Sequence, residues 1–96
     1  MDETQRVRIE EQLNQIWSAV TSRGLPDWWE RTQEHEQLLE AFARDGGPCL
    51  TAAVVELRAI PRSAFHPTGK MGDGESKLGR AVAMVRECLE REVHAD

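Results

Sequence analysis

Apolar side chains recur every three or four positions in four stretches of the chain, and glycine or proline closes the first three. This is the period of helices that bury one face. In the first stretch, about 4–23, Ile9, Leu13, Ile16, Trp17 and Val20 form the stripe. Thr4 is a candidate cap, and Gly24 is well placed to end the helix. The second, about 27–44, carries Trp28, His35, Leu38, Leu39 and Phe42 as its predicted inner face. Asp27 followed three residues later by Glu30 reads as a capping box, and Gly46 and Gly47 stop the helix. The third, about 48–60, opens on Pro48, suited to a first helical position, and stops at Pro61. Its stripe is Leu50, Ala53, Val54, Leu57 and Ile60. The fourth, about 76–93, follows Leu78, Val82, Val85, Leu89 and Val93, with Ser76 as the expected cap. Between the third and fourth, 61–75 holds two prolines and three glycines and reads as a long flexible loop. Each amphipathic helix must bury its stripe, so the expected fold is all-α: a small four-helix antiparallel bundle in one domain spanning 1–96.

Composition agrees with this picture. The 96 residues are 40% hydrophobic and 30% charged, enough apolar content for one modest core. The net charge of −5 rests on 17 acidic and 12 basic residues. A nucleic-acid partner, which needs a cationic face, is therefore not expected. The acidity gathers in 27–45, where Asp27, Glu30, Glu34, Glu36, Glu40 and Asp45 outnumber Arg31 and Arg44, so a partner of that face would be basic or neutral. No apolar run approaches the roughly 20 residues of a membrane span, and the N-terminus, acidic and amphipathic, does not read as a signal peptide. A cytoplasmic location and no membrane partner are the expectation. Cys49 and Cys88 lie in different predicted helices. Two buried thiols are the favoured reading, and a single disulfide is the alternative.

Candidate chemistry is sparse. Residues 69–76, Gly-Lys-Met-Gly-Asp-Gly-Glu-Ser, have the glycine spacing and terminal Ser of a phosphate-binding loop. Glu75 stands where that loop needs its Lys, and no buried strand precedes it. His35, His66, His94, the cysteines and the carboxylates are the available metal ligands. Helix-bundle metal sites use Glu-x-x-His pairs, and neither Glu30 nor Glu34 has that spacing to His35. A nucleophilic cysteine would need a base such as His35 or His66 beside it, and no motif aligns them. No catalytic residue, metal or cofactor is therefore assigned. Trp28 and Trp29 stand out, because adjacent helical residues diverge by about 100° and cannot share one core line. One is expected in the core; the other covers a neighbouring helix edge, the favoured reading, or packs on a partner, where Trp is enriched.

The run Glu34-His35-Glu36-Gln37-Leu38-Leu39-Glu40-Ala41-Phe42, followed by Asp45-Gly46, resembles the Glu-His-x-x-Ile-Leu-x-Ala segment of the all-helical effector-binding domain of GntR-type transcriptional regulators, in the fatty-acid-regulator class. The likeness spans about residues 6–60. It implies a helical packing pattern, and a ligand role for His35 beside an effector pocket. The family's later histidine falls near Leu57 and Arg58, where this chain has none, and its earlier helices and DNA-binding domain have no counterpart here. The sequence thus points to a non-catalytic helical interaction or accessory protein, self-associating or bound to another protein through an apolar helix face, with Trp28 and Trp29 as contact residues. The alternative is a ligand- or metal-binding sensor with His35 facing an interhelical pocket.

Overall fold

The computed structural model describes residues 2–65 and 73–94, with side chains through Arg91. Among the described residues, four helices follow in order: α1 over Glu3–Thr21, α2 over Trp28–Ala43, α3 over Pro48–Arg58 and α4 over Asp73–His94. A 3-10 turn, Arg62–Ala64, lies between α3 and α4, and there is no strand among the described residues. The architecture is the expected all-α bundle. Helices α1 and α2 run antiparallel. Gln5 Nε2 donates to the Phe42 carbonyl at 2.7 Å, and His35 Nδ1 meets Gln12 Oε1 at 2.7 Å, pairing the start of α1 with the end of α2. Arg86 donates to Asn14 Oδ1 at 3.1 Å, joining α4 to α1. Helix α1 packs chiefly on α2, and α3 on α4, so the bundle is two helical hairpins laid together.

The predicted stripes supply most of the core. Ile9, Leu13 and Ile16 of α1, Leu39 of α2, Leu50 and Leu57 of α3, and Val85 and Leu89 of α4 are buried. Several local expectations are corrected. Helix α1 is capped not by Thr4 but by Asp2, whose carboxylate accepts from the Gln5 amide at 2.8 Å and so satisfies one of the free donors of the first turn. Asp27 precedes α2 but makes no side-chain capping bond, so the capping box does not form. Gly47 takes φ 92° and turns the chain into Pro48 at the start of α3. That left-handed conformation is one that glycine alone adopts without strain.

Part of the expected loop is ordered. Phe65 is buried, and α4 begins at Asp73 rather than at Ser76. Gly74 permits this early start. A Cβ there would lie 2.5 Å from the Ala64 carbonyl oxygen and 2.6 Å from Phe65 Cδ1. Only glycine therefore lets the turn lie against the first residues of α4. The remaining loop positions, 66–72, with His66 and the first half of the phosphate-loop-like segment, lie outside the described residues, as does the side chain of His94.

The cysteines are a further correction. Cys49 and Cys88 are joined in a disulfide, their Cα atoms 5.8 Å apart, and neither is a free thiol. The antiparallel α3–α4 hairpin sets the first turn of α3 beside the last third of α4, which brings together two residues separated by 39 positions.

Candidate functional site

The inner face of α2 is only partly the one its apolar residues predict. The buried line runs Trp28, Thr32, Glu36, Leu39, Ala43, while Leu38 is exposed and His35 and Phe42 are half-buried. Two polar residues thus occupy core positions. Thr32 donates its hydroxyl to the Trp28 carbonyl at 2.7 Å, bonding back to its own helix. Glu36, 3% exposed, accepts from Gln33 Nε2 at 2.6 Å. Burial pushes its carboxyl from 4.5 up to about 7, against the opposing pull of the Arg58 charge and the Gln33 hydrogen bond. Loss of water penalises the charged form, and here that cost outweighs both attractions. Arg58 of α3 also pairs with Glu40, one turn further along α2.

His35 turns away from Glu36, as adjacent helical residues must, and meets Gln12 on α1. Gln12 is itself buried. The imidazole therefore sits in the α1–α2 interface with an amide as its partner. Among the described residues, no group of three or more His, Cys, Asp or Glu side chains is disposed to hold a metal ion. What this polar seam offers is a carboxyl that changes charge near neutral pH inside a helical interface.

That chemistry has a stability signature. The folded-state value of Glu36 lies above the unfolded one, so the folded protein holds this proton more tightly. The resulting stabilisation is fully present below about pH 4.5 and is lost as pH rises through about 7. Glu36→Gln keeps the shape and removes the ionisation. It is expected to raise the unfolding free energy at pH 8, with a ceiling of about 3 kcal/mol set by the size of the shift. At about pH 4 the effect is expected to be small. Urea unfolding of both proteins at the two pH values measures this, and an equal effect at both would contradict it.

The tryptophans separate. Trp28 is a core residue, 8% exposed, and Trp29 is half-buried against the same cluster. Their rings meet edge to face at 5.5 Å, and Phe65 closes the group 6.0 Å from Trp28 and 6.4 Å from Trp29. Such edge-on contacts set the positive rim of one ring against the negative face of another. The Arg62 guanidinium lies 5.6 Å from the centre of the Trp28 ring, close enough for a cation–π attraction. The pair thus anchors the chain after α3 onto the start of α2. The exposed indole is Trp17, at 37%. It stands on the edge of the α1 stripe, about 100° round from Ile16, where the spacing alone grouped it with the core.

Trp17 borders an open cleft of about 440 Å³ between α1 and α4, with Asn14, Gly79 and Ala83 on its walls. A second cleft, about 600 Å³, lies between α2 and α3 and is flanked by Glu40, Arg58 and Val55. Sequence reading also missed the ion pair of Arg23 and Glu75, two side chains almost wholly buried where the turn after α1 meets the first turn of α4. Arg23 donates further to the Val20 carbonyl at 2.9 Å. Glu75, which breaks the likeness to a phosphate loop, is thus an internal counterion. No helix among the described residues is long and apolar enough to cross a membrane. In comparisons with known proteins, no family model, no curated protein and no solved structure matches this chain.

Proposed function

We propose that this chain is a helical interaction protein that self-associates through an exposed helix face, and we assign that face to α1 and α4. The observation that carries the reading is Trp17, a large apolar ring left 37% exposed beside an open interhelical cleft. Tryptophan concentrates binding energy when a partner completes its burial. Trp28 is spent on the core, and Trp29 is largely engaged with Trp28 and Phe65, so the contact role expected of that pair passes to Trp17. The sensor reading built on His35 has less support, because Gln12 already engages its Nδ1 within the α1–α2 interface.

Sedimentation equilibrium tests the proposal. The protein is expected to self-associate at tens of micromolar, and Trp17→Ala is expected to weaken that association by about tenfold or more. The substitution lies at the surface, so the helical circular dichroism stays unchanged. A monomer over the whole concentration range would remove the reading.

A further inference from the structure

On the outer face of α4, Arg80 in the first half and Glu87 in the second are exposed about two turns apart, among the further exposed charges Asp73, Lys77, Arg86, Glu90 and Arg91. The midpoint between Arg80 and Glu87 falls between Ala83 and Met84. A second α4 laid antiparallel about that level would bring each Arg80 opposite the other copy's Glu87. A parallel arrangement would instead put Arg80 against Arg80 and Glu87 against Glu87.

We propose that the partner is a second copy of this chain, docked through α4 about a two-fold axis level with Ala83 and Met84. This rests on the self-association reading above and gives it a geometry. The contact is isologous, so one patch serves both sides and every charge pair occurs twice. Met84, 43% exposed, lies at the centre of the contact, with the small side chain of Ala83 beside it. Trp17 flanks the same surface across the α1–α4 cleft. The apolar centre supplies burial, and the flanking charges fix direction and register.

Two neighbouring charges of α4 are engaged within the chain. Arg86 is turned toward Asn14 at 3.1 Å. Arg91 pairs with Glu87 at 3.2 Å in an exposed i,i+4 contact, engaging one carboxylate oxygen and leaving the other for the incoming Arg80. Among the described residues neither Lys77 nor Arg80 takes part in an ion pair within its own chain.

Charge reversal tests the geometry. Arg80→Glu alone and Glu87→Arg alone each set like charges opposite one another twice per dimer, so each is expected to raise the dimer dissociation constant by about tenfold or more. The double variant restores opposite charges and is expected to return close to wild type. An equimolar mixture of the two single variants is expected to form a mixed dimer, because both facing pairs in it are opposite in sign. Sedimentation of these four samples beside the wild type, with helicity checked by circular dichroism, reads this out. Weakened single variants without rescue in the double variant or the mixture would overturn the antiparallel register. Single variants that dimerise like wild type would overturn the α4 surface while leaving self-association intact. A wild-type chain that stays monomeric at hundreds of micromolar would overturn both.

Discussion

Replacing Cys49 and Cys88 together by alanine is expected to lower the unfolding free energy by about 4 kcal/mol. The disulfide closes a loop across 39 positions of sequence, and the loss of chain entropy it imposes on the unfolded state corresponds to about that value. The native helices do not need the bond to form, since Leu50, Leu57, Val85 and Leu89 still pack α3 onto α4. The effect therefore falls mainly on the unfolded ensemble. A domain of this size has a total stability of roughly 5–15 kcal/mol, so the loss takes a large share of it. Urea unfolding with and without a thiol reductant, beside the double alanine variant, measures the change. A reductant that leaves the midpoint where it was, or a variant as stable as the parent, would contradict the expectation.

Arg23→Met is expected to cost about 3–5 kcal/mol, the usual penalty for stranding one charge of a buried ion pair. Glu75→Leu should be comparably damaging, because the guanidinium of Arg23 is almost as well buried as the carboxylate. Combining the two should recover most of the loss, since two apolar side chains need neither charge nor hydration. A double-mutant cycle on unfolding free energies separates the coupling from the two individual costs. Single variants that each cost less than about 1 kcal/mol, a value typical of solvent-exposed pairs, would show that the pair does not stabilise the fold in this way.

The helices were legible because their apolar stripes are long and regular. Ile9, Leu13 and Ile16, or Leu78, Val85 and Leu89, have few arrangements other than one buried face. The inner face of α2 was legible at Trp28 and Leu39 but not at Thr32 and Glu36. A hydroxyl that bonds its own helix backbone, as Thr32 does, can sit in a core at little cost, and a carboxyl that can keep its proton, as Glu36 can, tolerates burial. Hydropathy spacing sees neither device. Trp17 was misplaced for the opposite reason, since an apolar ring at the edge of a stripe counts toward the pattern whether or not a neighbouring helix covers it.

The start of α4 was missed because Gly74 looks like loop punctuation, when its bare Cα is what admits the Ala64 carbonyl. The cysteine pairing and the Arg23–Glu75 contact depend on which helices become neighbours, and no local pattern carries that information. The candidate contact face was partly visible, because the charge order along α4 can be read from the residues. Its exposure required the fold.

The two-hairpin layout also bears on how the chain reaches its native state. Most of its packing joins helices that are consecutive in sequence, α1 with α2 and α3 with α4, while α1 meets α4 less extensively. Low mean sequence separation between contacting residues goes with fast folding. Each hairpin can therefore gather its own stripe before the ends of the chain meet. Two polar contacts between distant parts of the chain, Asn14 with Arg86 and Arg23 with Glu75, then close the bundle and join two locally assembled halves into one cooperative unit.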